Sequence, residues 1–222
     1  AYALPHRTQA AARTTPEATD LAPLLAELVE AGGSLAAMEV SSHALDLDRV
    51  TGLEFDVAVF TNLTRDHLDF HGDLERYFDA KRRLTALLRP HPPGRRVIGA
   101  DDPLMARLLQ ESRPGDLSFG LSPGCDVTAL DLTLTVRGSG FRLVTPRGET
   151  EVTLPLVGRH NVRNALAAIG AAVALGWDEA AVSRALAEAT PLPGRLEPVE
   201  AGTSFPIFVD YAHTPDALEN AL

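Results

Sequence analysis

The chain has 222 residues, 45% of them hydrophobic and 23% charged, which is typical of a globular protein and excludes a disordered or collagen-like one. Thirty acidic residues against 20 basic ones give a formal net charge of −10, so we expect no nucleic-acid partner. The longest apolar stretch, residues 165–176, is about half of the ~20 residues that a membrane helix needs, so we expect no membrane partner either. The single cysteine, Cys125, can form no internal disulfide, which favours a cytoplasmic location.

The length predicts one domain plus part of another, at roughly 100–200 residues per domain. The chain begins without Met and lacks the residue order of a secretory signal. It also stops inside a helix that we predict to start near Pro215. We therefore expect a piece that is truncated at both ends.

The first half of the chain alternates between helical and apolar strand-like segments. Residues 22–31 predict a helix that ends at Gly32-Gly33. Continuous apolar runs predict strands of a parallel sheet covered on both faces, at residues 34–40, 55–63 and 96–100. Ligands bind beyond the carboxyl ends of such strands, which directs attention to residues 39–43, 61–71 and 101–102.

The second half begins with alternating polar and apolar residues. Residues 117–157 predict antiparallel hairpins, with a glycine-rich turn at residues 137–140. Two helices follow, at residues 161–175 before Gly176 and at residues 178–189 with Asp178 as the cap. The broken segment Thr190-Pro191-Leu192-Pro193-Gly194 predicts a domain boundary near residue 191, after which residues 206–210 open a new strand.

Lys81 is the only lysine among the 20 basic residues, so no phosphate-binding loop that ends in Gly-Lys-Ser/Thr is present. Asp73 predicts the cap of a helix whose apolar residues, from Leu74 to Leu88, share a face with Lys81. One interpretation is a lysine whose stem is covered while its ammonium reaches water. The other is a desolvated, neutral amine that reacts with carbon dioxide to give a carbamate, an anionic oxygen ligand for magnesium.

Two further segments carry candidate ligands. Glu39 lies near the end of a predicted strand, where an acid could also simply reach solvent. Residues 62–73 place many polar side chains after a buried strand, which favours a functional loop. His67 and His71 have the spacing of a zinc pair, but the glutamate that metalloproteases place after the first histidine is missing.

These segments together resemble the Mur ligases, specifically the MurE type, which adds the third residue of the peptidoglycan stem peptide. The resemblance covers essentially the whole chain, and its motifs occur in the family's order at residues 39–45, 60–73, 77–81, 158–168, 193–197 and 209–218. It implies an α/β fold in which a mostly parallel sheet is flanked by helices and has an antiparallel hairpin region. Residues 1–190 would form the central ATP-binding domain without its phosphate-binding loop, and residues 191–222 the start of a Rossmann-like C-terminal ligase domain.

The resemblance also implies roles for individual residues. Glu39, His67 and a carbamoylated Lys81 would hold Mg²⁺, with Lys81 and His67 serving catalysis. Thr14, Thr15, Ser41 and Arg49 would face the UDP-N-acetylmuramoyl dipeptide, although Leu47 stands where the family often has Gln. Asn161, Asn164, Arg195 and Asp210 would bind ATP, although Asn161 could also be a helix cap and Asp210 a turn residue.

The implied reaction is amide-bond formation through an acyl phosphate, made with the γ-phosphate of ATP and attacked by the amine of an amino acid. That amino acid would be diaminopimelate, lysine or ornithine, and the whole enzyme would be a monomer. We expect the 222 residues alone to have no ligase activity, because the family's phosphate-binding loop and most of its last domain lie outside them.

Three alternatives stay open at the level of sequence. A folylpolyglutamate synthetase-like ligase would share the architecture and the carbamate. A metal-dependent hydrolase that uses Glu39, Asp66 and His67 would turn over without ATP. A ligase-like module without catalytic activity would only bind.

Overall fold

The computed structural model describes residues 2–111, 113–213 and 218–219, and the chain divides into two units. The first unit comprises Ala1–Phe55 and Arg65–Gly94, and the second comprises Asp56–Thr64 and Arg95–Leu222. The boundary that we predict near residue 191 stays a prediction.

The first unit consists of short helices and one small strand pair. Its elements are β1 (Tyr2–Leu4), β2 (Arg7–Gln9), α1 (Ala18–Glu30), α2 (Ser42–Asp46), α3 (Leu68–His71), α4 (Leu74–Arg82) and a 3₁₀ turn, Arg83–Leu87. β1 and β2 pair in antiparallel fashion. The core of the unit forms around Leu21, Leu45 and Val50, against which partly buried side chains such as Met38 and Phe55 pack.

Local chemistry explains where these helices begin and end. Asp73 accepts a hydrogen bond from the backbone N–H of Arg76 at 2.8 Å, which confirms it as the cap of α4. The α-helix ends at Arg82 and tightens into the 3₁₀ turn, earlier than the periodicity up to Leu88 indicates. α1 begins at Ala18, four residues before the predicted start, and its chain leaves through Gly32 at a φ of +78°, a conformation that glycine adopts readily.

The predicted strand at residues 34–40 is wrong. These residues form neither helix nor strand, and Leu35 is 51% exposed. An apolar run becomes a strand only when a neighbouring strand accepts its backbone hydrogen bonds. No described strand pairs with this segment.

The second unit contains a six-stranded sheet with the order β3-β4-β5-β6-β7-β8. The strands are β3 (Val57–Phe60), β4 (Arg95–Gly99), β5 (Leu117–Gly120), β6 (Val127–Thr135), β7 (Gly138–Thr145) and β8 (Gly148–Leu154). The pairs from β3 to β6 are parallel, and β6, β7 and β8 pair antiparallel. The predicted fold class, a mostly parallel sheet with helices and an antiparallel part, is confirmed.

Two details of the predicted hairpin region are wrong. Residues 117–120 form a parallel strand between β4 and β6 and not the arm of a hairpin. The predicted turn at residues 137–140 is shorter, because β7 already begins at Gly138 and pairs with Thr135. Alternation along one strand reports which face is buried, and it does not report which neighbour the strand pairs with.

Helices α5 (Arg159–Leu175) and α6 (Glu179–Ala187) follow the sheet. α5 packs on strands β3 to β6, and its Gly170 lies so close to β4 that a Cβ there would be 2.6 Å from Cγ1 of Val97. The cap of α5 is Gly158, so Asn161 lies inside the helix and is not its cap. Gly176 ends α5 in the left-handed conformation, and Asp178 caps α6, as predicted.

The last described segment contains one small antiparallel pair, β9 (Glu197–Pro198) with β10 (Phe208–Val209), which confirms a short strand within residues 206–210. The start of the helix predicted near Pro215 lies outside the described residues, and residues 218–219, which are described, are helical. The Rossmann-like start of a C-terminal domain stays a prediction. Among the helices that the structure describes, none has the length and apolar character required to cross a lipid bilayer.

Candidate active site

The first unit places Lys81 on the covered face of α4. Its Nζ lies 5.0 Å from the centre of the Tyr77 ring, one helical turn earlier, and the residue is half-buried. Burial lowers the pKa of the Lys81 amine, and the charges of Glu39 and Asp66 only partly oppose this shift. Lys81 is therefore a desolvated amine within electrostatic range of two carboxylates.

His67 lies at the start of α3. Its backbone has a φ of +54°, and its N–H donates to the Asp66 carboxylate at 2.8 Å. Its ring meets the Tyr77 ring edge-on, with centres 5.9 Å apart, and its Nε2 lies 3.6 Å from Asp66. The imidazole and the lysine thus contact the same aromatic ring.

Glu39 lies in the irregular segment before α2, with an exposed side chain. The hydroxyl of Thr15 donates to the Glu39 carbonyl at 2.9 Å and accepts from the Ser41 N–H at 3.0 Å. These two bonds hold the backbone on both sides of Val40 in place of a strand neighbour. They position Glu39 without using its carboxylate.

Thr15, Ser41 and Arg49 come together, and Thr14 does not join them. Nη1 of the buried Arg49 lies 3.5 Å from the Thr15 carbonyl, and its Nε pairs with Glu17 at 3.1 Å. The Ser41 hydroxyl accepts from the Ala44 N–H at 3.1 Å and so caps α2. Thr15 is buried in this set of contacts, whereas Thr14 is exposed.

A cluster of imidazole and aromatic rings lies around His67 and Tyr77. The sequence analysis assigned no role to this cluster. The centre of the His43 ring lies 5.0 Å from that of His67, 4.1 Å from that of Phe70 and 5.4 Å from that of His71. The His71 ring stacks on Tyr77 with centres 5.0 Å apart and planes inclined by 19°. The repeated histidines of residues 43–71 are the one sequence signal that could have indicated it.

His71 is buried, and both of its ring nitrogens have partners. Nε2 lies 2.9 Å from the Ser42 hydroxyl, and Nδ1 lies 3.4 Å from Asp46. Burial lowers the pKa of His71, and the charge of Asp46 opposes this shift. These contacts give His71 a structural role, so its four-residue spacing from His67 needs no zinc ion to explain it.

The second unit brings Asn161 and Arg195 together at one cavity. Asn161 is buried near the start of α5, and its Nδ2 donates to the Val157 carbonyl at 2.8 Å. The exposed Asn164 lies beside it, with its Nδ2 3.5 Å from Oδ1 of Asn161. A cavity of about 230 Å³ is lined by Val136, Arg137, Pro155, Leu156, Val157, Asn161, Pro191, Arg195, Leu196 and Pro198.

Asp210 holds the loop that carries Arg195. Its carboxylate accepts from the N–H groups of Leu196 and Ala212, each at 2.8 Å. Leu196 has a φ of +44°, so these bonds hold a residue in a conformation that is unfavourable for it. Asp210 thus holds a turn, in agreement with the second interpretation of its sequence position, and its contact with ATP stays a prediction.

Asp101 and Asp102, at the carboxyl end of β4, also hold loops. Asp101 accepts from the Leu121 and Ser122 N–H groups and from the Ser122 hydroxyl, while Asp102 accepts from the Leu63 N–H at 2.9 Å. Among the described residues, no group of three His, Cys, Asp or Glu side chains is arranged to hold a metal ion.

Comparison with known proteins identifies the family of this chain. The family model described as the Mur ligase middle domain matches residues 2–172. The chain belongs to the Mur ligase family.

A Mur ligase from Geobacillus kaustophilus (strain HTA426), named UDP-N-acetylmuramoyl-L-alanyl-D-glutamate–2,6-diaminopimelate ligase, is 46% identical over 220 residues. The match covers 97% of this chain and 45% of that protein, so the chain spans less than half the length of this curated relative. A solved structure of a ligase with the same name is 36% identical with a TM-score of 0.78, over 92% of this chain and 42% of the other.

A second solved Mur ligase, MurF from Thermotoga maritima in complex with ADP, has a TM-score of 0.67 over 88% of this chain and 46% of the other. At 21% identity it shows that the two chains share the fold. The family model establishes the family of this chain, and this second structure shows a shared fold.

Proposed function

We propose that the whole protein that contains this chain is an ATP-dependent ligase that joins diaminopimelate to UDP-N-acetylmuramoyl-L-alanyl-D-glutamate in the cytoplasm. The observation that carries the proposal is the desolvated amine of Lys81, which lies against the Tyr77 ring that His67 also contacts and within electrostatic range of Glu39 and Asp66. The relative from Geobacillus kaustophilus, which is named as a diaminopimelate ligase, supports the choice of acceptor and of amino acid.

Lys81 is the residue suited to become a carbamate. A neutral amine attacks the carbon of carbon dioxide with its lone pair, a nitrogen–carbon bond forms, and one C=O π pair moves onto oxygen. The nitrogen then gives one proton to solvent, so the neutral amine becomes an anionic carbamate; an ammonium group would first have to lose a proton of its own. Burial favours this change because it raises the fraction of neutral amine.

The donor groups of this site fit magnesium. Carbamate and carboxylate oxygens are the hard ligands that Mg²⁺ takes, and Lys81 and Glu39 would supply them together with the imidazole of His67. When bound, Mg²⁺ would neutralise negative charge on the phosphates during phosphoryl transfer. The stacked rings and the hydrogen bonds of Thr15 would keep these three side chains in position.

The second unit would bind the nucleotide. The cavity at Asn161 combines apolar walls, a buried amide and the guanidinium of Arg195, which suits a flat heterocycle that carries an anionic tail. Asn164 would extend the amide surface, and Asp210 would hold the loop of Arg195. The exposed Thr14, with Ser41 and Arg49, would contact the UDP-sugar dipeptide.

The reaction needs these groups because a carboxylate is a poor electrophile. Transfer of the γ-phosphoryl group of ATP to the dipeptide carboxylate gives an acyl phosphate and ADP. Attack by the amine of diaminopimelate then releases phosphate and forms the amide bond. Positioning and charge neutralisation are the main contributions that a protein makes to such a transfer.

Phosphate release by the whole protein tests this proposal. With ATP, Mg²⁺, the UDP-sugar dipeptide and diaminopimelate, we expect ADP, phosphate and the UDP-sugar tripeptide, identified by mass spectrometry. Parallel reactions would replace diaminopimelate with lysine or ornithine, and the dipeptide with a folate plus glutamate. Turnover of the dipeptide with a divalent metal and no ATP would instead indicate a hydrolase, and would end the ligase proposal.

A further inference from the structure

The Tyr77 ring is the common neighbour of two of the three candidate metal ligands, Lys81 and His67. Lys81 Nζ lies 5.0 Å from the centre of this ring, and the His67 ring meets it edge-on at 5.9 Å. Tyr77 is only 6% exposed, so the ring is a fixed wall and not a mobile surface group. Its four-residue spacing from Lys81 on α4 places the two side chains on one helical face.

His71 holds this ring in place through a nearly parallel stack, with centres 5.0 Å apart and planes inclined by 19°. His71 is itself held by the Ser42 hydroxyl at 2.9 Å and by Asp46 at 3.4 Å. Asp46 is in turn paired with Arg83 at 3.0 Å. A continuous set of contacts therefore runs from α2 through His71 to the ring on which the lysine rests.

We propose that Tyr77 is a positioning residue for Lys81: the Tyr77 ring covers one side of the amine and holds the amine in the place where it reacts with carbon dioxide. This inference rests on the proposed function, because it concerns the carbamate of Lys81. A lysine side chain has many rotamers, and a fixed ring beside its stem reduces the freedom that must be lost when the carbamate is held in one place.

The chemistry of the ring suits both states of the nitrogen. The ammonium is attracted to the face of an aromatic ring, and the nitrogen of a carbamate keeps one N–H that can point to the same face. The anionic oxygens of the carbamate are repelled by that face and are directed away from it. A ring of either tyrosine or phenylalanine would serve, whereas an aliphatic side chain would not.

Carbamate formation in the whole protein tests the inference directly. ¹³C-labelled carbon dioxide is titrated into the protein without nucleotide or substrate, and the carbamate carbon is followed by NMR, with Lys81→Arg as the blank. For Tyr77→Phe we expect half-occupancy at a carbon dioxide concentration within about twofold of wild type. For Tyr77→Leu we expect the carbon dioxide concentration at half-occupancy to rise about tenfold, because the loss of one ring–amine contact weakens binding by about this factor.

Two further variants separate positioning from folding. Val50→Ala removes methyl groups from the core around Leu21 and Leu45, so it lowers stability without touching the ring, and we expect an unchanged titration. His71→Gln keeps a hydrogen-bonding group near Ser42 but removes the stacked ring. It should shift the titration in the same direction as Tyr77→Leu, and it provides the decisive measurement if Tyr77→Leu does not fold.

The outcomes are distinguishable from failure of the proposed function. A wild-type signal no larger than that of Lys81→Arg would show that no carbamate forms, and this result would contradict both the proposed function and the positioning role. A wild-type carbamate that Tyr77→Leu and His71→Gln form at the same carbon dioxide concentration would overturn the positioning role alone. An equal shift in Val50→Ala would overturn it as well, because the effect would then be one of general destabilisation.

Discussion

Asp101 and Arg163 are 62 positions apart, and the carboxylate of the first accepts a hydrogen bond from Nε of the second at 3.0 Å. The pair joins the end of β4 to α5, while the same carboxylate also binds the loop at Leu121 and Ser122. Burial opposes ionisation of Asp101, but these hydrogen bonds outweigh it and hold the pKa of the carboxyl below its usual value of 3.8.

We expect Asp101→Asn to lower the free energy of unfolding by about 1–3 kcal/mol near neutral pH, because hydrogen bonds to a charged acceptor are lost. An acid whose pKa is lowered by folding stabilises the folded state fully at any pH above its pKa in the unfolded chain. This stabilisation disappears as the pH falls through its lower pKa in the folded protein. The difference between variant and wild type should therefore shrink below about pH 4, as measured by urea unfolding. Asp131→Asn, in an exposed pair with Arg142, is the control and should change stability by less than about 1 kcal/mol.

Substitution of Lys81 by arginine separates the need for a positive charge from the need for a carbamate. Arginine carries the same charge as lysine but forms no carbamate. We expect Lys81→Arg to lower ligase turnover by about two to three orders of magnitude, the scale of losing a preorganised charged group. Arg82→Lys, at the exposed neighbouring position, should keep wild-type turnover. A double variant that exchanges the two residues should be as inactive as Lys81→Arg, and recovery of activity in it would contradict the requirement for an amine at position 81.

Thr14 and Thr15 should respond differently to the same substitution. Thr15→Val removes the hydroxyl that binds both the Glu39 carbonyl and the Ser41 N–H, so we expect stability to fall by about 1–3 kcal/mol. Thr14→Val changes an exposed side chain, so we expect an unchanged melting temperature and a higher KM for the UDP-sugar dipeptide. A variant at position 14 with unaltered KM would exclude that residue from the substrate site.

The cavity at Asn161 predicts a loss of nucleotide affinity. Asn161→Ala should weaken ADP binding about tenfold or more in calorimetry, since a buried amide would no longer be available to the ligand. Arg159→Ala, at the exposed first residue of α5, is the matched control and should bind ADP like wild type. Melting temperatures of both variants would show whether a loss of affinity reflects the cavity or the stability of the helix.

Signals that depend on a few neighbouring residues were read correctly from the sequence. The caps Asp73 and Asp178 and the terminator Gly176 act within one helical turn, so the local sequence is sufficient to predict them. The position of Lys81 on a covered face follows from helical periodicity in the same way. Residues 34–40 show the limit, because their apolar character does not specify a partner strand.

Contacts between distant segments were not accessible in this way. The stack of His71 on Tyr77 and the approach of His43 to His67 join residues whose spacing in the chain matches no single helix or strand. Arg96 is another example, since an arginine at the start of a strand is expected to be exposed. It is completely buried, and Asp116 and Glu111 balance its charge.

By itself, the sequence determined the fold class, the helix caps Asp73 and Asp178 with the terminator Gly176, and the family resemblance that brings Glu39, His67 and Lys81 into one hypothesis. Only the tertiary structure decided that the amine of Lys81 is desolvated on a stacked aromatic ring, and that Asn161 and Arg195 share a cavity. The physical reason is one of range. Periodicity and capping depend on residues within about one helical turn. The desolvation and the electrostatic environment of a side chain depend on every atom that packing brings near it, whatever the position of that atom in the sequence.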